Sequence, residues 1–297
     1  MAPKKLYSIL ACAIAVNSYA TDHVDGSKIQ KLSKPPVTKF EFPDNWRVPV
    51  TPFQLADHTW YIGTEGLSSV LIKTEAGAIL IDTGLPGASK MLIAHMQKLG
   101  VAPSDLKWIL HSHAHEDHVG SHAALRIVTK APIATNAESA VLLGRGGTDD
   151  IHFGDRAAFE PVQTDRFLMD GETITLGNIT LTAHFTPAHT PGSMSWTWTD
   201  QRDGKPVRIA YVDSLSAPGY KLMNNPRYPH IIEDYQKGIA AVRSLPCDLL
   251  LTPHPEASGW VPANTADPHP NPMTCLAYAD GVQQRFTEQL QKEQKKQ

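Results

Sequence analysis

The chain has 297 residues, 41% hydrophobic and 19% charged, with a net charge of −3; these are the proportions of a soluble globular protein with a substantial core. Its cations do not cluster until the terminal QKEQKKQ, which reads as a solvated helix end, so nucleic acid is excluded as the main partner. No stretch is apolar enough to span a bilayer.

The N-terminus has the layout of a secretory leader. A basic MAPKK precedes the largely apolar LYSILACAIAV, and NSYA ends in the small-x-small pattern Ser18-Tyr19-Ala20. Cleavage is expected after Ala20, giving a leader over 1–20 and a periplasmic protein without stable membrane association. A rival reading takes ILAC around Cys12 as a lipid-attachment box, but only six residues of the run precede it. Loss of Cys12 leaves Cys247 and Cys275, an even pair in an oxidising compartment, which reads as a disulfide or as two buried thiols.

Residues 21–45 are polar and proline-dotted and read as an extended arm; a single domain is expected over 46–297. HTWYIG, LSSVLIK and GAILIDTG are short β-branched runs separated by turn signals. PGASKMLIAHMQKLG is a helix with Pro86 near its start and Gly100 at its end, and its His95 falls on the packed face. LKWIL is a strand, VGSHAALRIVTK a helix and PIAT a strand, an order that implies parallel pairing and an α/β layer. A long loop, LLGRGGTDDIHFGDRAAFEPV, carries no periodicity. The same grammar is then read through strands at TITLG, ITLTAHFTP, MSWTWT and VRIAYVD, a helix at IIEDYQKGIAAVRSL, the strand CDLLLTP and a last helix from about Leu276. One compact domain of two related halves follows.

Chemistry collects where apolar strands end. LKWIL runs into HSHAHEDH, ITLTAHFTPA into His189, VRIAYV into Asp213-Ser214, and CDLLLTP into His254. Ligands of α/β sheets bind beyond the carboxyl ends of strands, so these segments are expected to converge. His113 and His115, at i and i+2 of extended chain, can share one metal, whereas the adjacent Asp117 and His118 diverge toward a second. Imidazole nitrogen with some carboxylate oxygen is zinc's preferred donor set. HEDH lacks the spacing of the zinc-protease HExxH.

His113-Ala114-His115-Glu116-Asp117-His118 is the HxHxDH motif of the metallo-β-lactamase fold, shared by glyoxalases, lactonases, sulfatases and nucleases. TPAHTPGSMSW, YVDSLSAPGYKL and LPCDLLLTPHPEASGW resemble the class B, subclass 3 metallo-β-lactamases, and the likeness covers roughly residues 45 to 285. The resemblance implies a four-layer αβ/βα sandwich and two zinc ions, one held by His113, His115 and His189, the other by Asp117, His118 and His254. It implies β-lactam hydrolysis by a zinc-bound water acting as hydroxide, with Asp117 orienting it and no acyl-enzyme, on penicillins, cephalosporins and carbapenems. Ser214 and Ser216 match positions that contact the substrate carboxylate or nearby water. Cys247 and Cys275 match a disulfide of similar proteins.

The remaining candidates read as bystanders. His111 precedes the spacing, His122 lies in the following helix in a supporting or surface role, and Glu116 is expected to be solvated or on the rim. His184 reads as a packing histidine; His58, His152, His230 and His269 have no ligand spacing, although His152 is within its loop's reach of a substrate. In relatives such as glyoxalases and lactonases an aspartate after this strand bridges the two metals, but the subclass resemblance aligns Ser214 with that position, and Asp213 is expected to have a structural or supporting role. Ser104-Asp105-Leu106-Lys107 fits the SxxK of serine β-lactamases, yet the SDN and KTG partners are absent from the sequence. A non-catalytic protein of this fold is expected to lose a ligand, and none is lost. The remaining rival is another dimetal hydrolase, a lactonase or thioester hydrolase. A monomer acting on a small-molecule β-lactam is expected.

Overall fold

A computed structural model describes residues 40–296. The leader expected over 1–20 and most of the arm expected over 21–45 lie outside the described residues. The arm's last residues pack on the domain: the Phe40 ring lies 5.0 Å from Phe153, and Phe42 stacks on Trp46.

The first sheet contains β1 (Phe53–Gln54), β2 (Thr59–Tyr61), β3 (Val70–Thr74), β4 (Gly77–Ile81) and β5 (Leu106–Leu110), in that order. The first four are antiparallel. Helix α1 (Ser89–Lys98) carries the chain back across the sheet, so β5 joins β4 in parallel. α2 (Glu116–Val119) and α3 (His122–Thr129) follow, and a parallel bridge from Ile109 to Ile133 continues the sheet. β6 (Ala134–Thr135) pairs with β7 (Arg166–Phe167) across α4 (Ala137–Gly144) and the long loop.

The second sheet runs β12-β11-β10-β9-β8, from β8 (Thr173–Leu176), β9 (Ile179–Phe185), β10 (Met194–Arg202), β11 (Lys205–Tyr211) and β12 (Leu249–Leu251). Its parallel grammar is confined to β11 and β12, which α5 (Ile231–Ser244) connects. β8 to β11 form an antiparallel meander instead. The physical reason is the turns: Asp203 and Gly204, at φ 54° and 71°, make a two-residue hairpin between Arg202 and Lys205 that leaves no room for a crossover.

Strand alternation builds the layers. Val70, Ile72, Ile79 and Ile81 face a shared core with Leu181, Trp196, Trp198 and Tyr211 of the second sheet. The opposite faces, through Leu71 and Leu80, pack on Leu92 and Met96 of α1 and Leu125 of α3. On the far side Ala210, Val212 and Leu250 pack on α5 and on α6 (Cys275–Gln294) through Tyr235, Ile239, Tyr278 and Val282. This is the expected four-layer αβ/βα sandwich. Cys247, just before β12, is bonded to Cys275 at the head of α6. Among the described residues no helix is long and apolar enough to cross a membrane.

Candidate metal centre

Five strands deliver polar groups to one edge of the sandwich. β5 leads into His111–His118, β9 into His189, β11 into Asp213, β12 into His254 and β4 into Asp82. Residues 113 to 115 stay extended, and α2 then places Asp117 and His118 on its single turn, all buried. Gly120 permits the close exit from that turn, since a Cβ there would lie 2.4 Å from the Pro86 ring.

The donor atoms of His113, His115 and His189 lie within 4.8 Å of one another, and those of His113, Asp117 and His118 form a second such group. His113 therefore stands between the two. His254 Nε2 lies 3.5 Å from Asp117 Oδ2, and its ring centre lies 5.0 Å from that of His118, which extends the second group.

Most of these rings are held from behind. His113 Nδ1 lies 2.8 Å from Asp213 Oδ1, leaving Nε2 buried with no hydrogen-bond partner among the described residues. His189 Nδ1 donates to the Ser216 carbonyl at 2.8 Å, so Nε2 faces the group. His115 Nε2 lies 3.3 Å from Asp150 Oδ2, with Nδ1 turned inward, and His118 Nδ1 lies 3.3 Å from Asp82 Oδ2. A carboxylate or carbonyl behind an imidazole fixes its tautomer and turns the other nitrogen's lone pair forward, as metal sites require.

The donor set fits zinc. His115 Nδ1 and His189 Nε2 are 3.1 Å apart, close to the roughly 3.4 Å between two imidazole nitrogens on a tetrahedral zinc. Burial, with the neighbouring imidazoles, holds His113 and His189 well below the ordinary imidazole value, so both are neutral and able to ligate. Burial likewise lowers His254 to about 4. Burial would raise Asp117, but His118 and His254 outweigh it and hold its carboxyl far below the usual range.

Above the donors lies a cavity of about 480 Å³. Trp46, His254 and Phe153 line it, with Asp117, Glu116 and Ser216 also on its wall. The Trp46 and His254 ring centres are 4.8 Å apart. Ser214 is buried at 6% exposure and does not line this cavity.

The bystanders also have definite places. His111 and His122 are fully buried with ring centres 5.6 Å apart, and His122 Nδ1 lies 2.8 Å from Thr83 Oγ1, so His122 is internal rather than on the surface. Glu116 is 5% exposed and lines the cavity, so of its two expected places it takes the rim and not the solvent. His95 Nδ1 meets the Ile62 carbonyl at 2.8 Å, and His184 Nε2 meets Thr197 Oγ1 at 2.7 Å. His152 stacks on Tyr220 with ring centres 3.4 Å apart.

Sequence reasoning overlooked Asp82 and Asp150. Asp82 accepts from Ser112 N, Ser112 Oγ and Tyr211 OH at 2.7–2.8 Å, joining the two halves beneath His118. Its signal was legible: ILID is a fifth apolar strand that ends in an acid. Asp150 gave no comparable signal, because its loop has no periodicity.

A family model of the metallo-β-lactamase superfamily matches residues 62–203. The chain belongs to that superfamily of hydrolases. Its solved structural neighbours include the metallo-β-lactamase MIM-1 of Novosphingobium pentaromativorans, 37% identical over 86% of this chain and 96% of that one, with a TM-score of 0.79. BJP-1 of Bradyrhizobium japonicum, a subclass B3 metallo-β-lactamase, is 34% identical over 84% of this chain and 97% of that one, with a TM-score of 0.76. Among curated proteins, a hydroxyacylglutathione hydrolase of Anaeromyxobacter dehalogenans is 35% identical over 128 residues, 43% of this chain and 40% of that protein. A probable metallo-hydrolase of Burkholderia pseudomallei is 30% identical over 45% of each chain. The chain thus spans less than half the length of these two curated relatives.

Proposed function

We propose that the protein is a zinc-dependent β-lactamase that opens the amide of β-lactam antibiotics without an acyl-enzyme. One observation carries this reading: six buried or half-buried donors meet under a cavity in a chain that is 34–37% identical to solved β-lactamases over 84–86% of its length. His113, His115 and His189 would hold one zinc ion, and Asp117, His118 and His254 a second. Bound zinc supplies Lewis acidity and brings the pKa of a coordinated water near 7.

The chain's own groups do the rest. Asp117, kept ionised by His118 and His254, accepts a hydrogen bond from the attacking water and so orients it. Asp213 and the Ser216 carbonyl fix the His113 and His189 rings. Trp46 and Phe153 wall the site from bulk water, which strengthens the electrostatics within it. Ser216, on that wall, is the hydroxyl donor to the substrate carboxylate. The leader read over 1–20 directs the protein to the periplasm.

Thioester hydrolysis is the second reading, favoured by the likeness to a hydroxyacylglutathione hydrolase; that likeness covers 43% of this chain. The test is inhibition of penicillin hydrolysis. A chelator is expected to abolish turnover and a serine-acylating inhibitor to leave it intact, and the reverse would refute the metal mechanism.

A further inference from the structure

The loop from Arg145 to Phe159 lines the cavity through Phe153 and Ala157, meets the three-histidine group directly at Asp150 and reaches it through Tyr220 at His152. Asp150 is 2% exposed, and its two oxygens face different partners. Oδ1 accepts the backbone N–H groups of His152 and Phe153 at 2.8 and 2.7 Å, shaping the turn that presents Phe153 to the cavity. Oδ2 lies 3.3 Å from His115 Nε2. The indirect link is the His152 ring, stacked on Tyr220, whose hydroxyl lies 3.3 Å from His189 Nδ1.

We infer that the Asp150 carboxylate couples metal occupancy of the three-histidine group to the order of this loop, and so to the shape of the substrate cavity. The inference rests on the zinc reading above. His115 can turn Nδ1 toward a metal only with its proton on Nε2, and Asp150 Oδ2 is the acceptor for that proton. A metal that fixes His115 therefore also fixes Asp150, and through Oδ1 the turn at 150–153. The coupling is reciprocal: a loop held in place orients His115 for the metal. Asp150 acts here as a positioning residue.

Asp150→Asn separates the two oxygens' tasks. The amide oxygen still accepts from His152 and Phe153, whereas the amide NH2 turned toward His115 Nε2–H opposes donor to donor. Zinc affinity is measured in the full-length His254→Ala protein, which keeps the three-histidine group, and in the His189→Ala protein, which keeps the other. Adding Asp150→Asn is expected to weaken zinc about 10–100-fold in the first background and less than about threefold in the second. Hydrogen exchange at residues 148–158 is expected to slow when zinc is added to the unmodified protein, and to respond far less with Asp150→Asn. Equal zinc affinity with and without Asp150→Asn in the His254→Ala background, or loop exchange indifferent to zinc, overturns the coupling. Failure of the unmodified protein to bind zinc overturns the metal reading, and the coupling with it.

Discussion

His113 Nδ1 and Asp213 Oδ1 lie 2.8 Å apart with both side chains fully excluded from solvent. Asp213 thus stands on the side of the ring opposite the free Nε2, as a support for His113. Asp213→Ala removes the acceptor that sets the tautomer and is expected to weaken zinc binding about 10–100-fold. Competition with a chromophoric chelator reads this, and affinity equal to the unmodified protein's would show that the contact has no bearing on the metal.

His189 and His254 belong to different donor groups, so each alanine substitution has its own loss. His189→Ala and His254→Ala are each expected to retain about one zinc per chain against two, by elemental analysis after gel filtration. His111→Ala is expected to retain both, since His111 packs against His122 behind the site. It should lower stability by about 1–3 kcal/mol through the space it leaves. Loss of zinc from His111→Ala, or full zinc in either of the others, contradicts the assignment.

The two groups should answer differently to pH. Burial alone would lower His118, but Asp117 Oδ2 at 3.1 Å and Asp82 Oδ2 at 3.3 Å hold it well above the ordinary imidazole value. A zinc ion binding there displaces that proton, so affinity rises about tenfold per pH unit while the pH stays below the raised value. His113 and His189 are already neutral, and Asp213, lifted by burial to about 7, gives up its proton near there. Affinity at the three-histidine group should therefore level off above about pH 7. Titrations in the His189→Ala and His254→Ala backgrounds between pH 7.5 and 9 separate the slopes, and equal slopes contradict the account.

The bond between Cys247 and Cys275 closes a loop with a sequence separation of 28 residues. Restricting the unfolded chain this way stabilises by about 3–4 kcal/mol on the chain-entropy model. Reduction under denaturing conditions, alkylation and refolding should lower the urea midpoint accordingly. An unchanged midpoint would mean that the bridge adds nothing to stability.

Much of this architecture is legible in the residues. Strand runs that end in a ligand announce the convergence of His113, His189 and His254, because strand ends of an α/β sheet share an edge. The antiparallel meander was signalled by Asp203-Gly204, a hairpin pair that the strand–helix alternation of the first half masked. α4 also carried a signal, since Asn136 caps it by accepting from Ser139 N. What the sequence could not yield is burial and contact across the fold. His122 reads equally as a supporting or a surface residue and becomes internal only when α3 packs. Asp150 meets His115 across 35 positions of chain through a loop without a period.

The central claim is tested most directly by initial rates on four substrates: a penicillin, a carbapenem, an acyl-homoserine lactone and a glutathione thioester, with purified, zinc-loaded protein. The account predicts β-lactam ring opening that chelation removes and zinc restores, with lactone and thioester turnover at least about a hundredfold slower. Lactone or thioester turnover with no β-lactam turnover would contradict it.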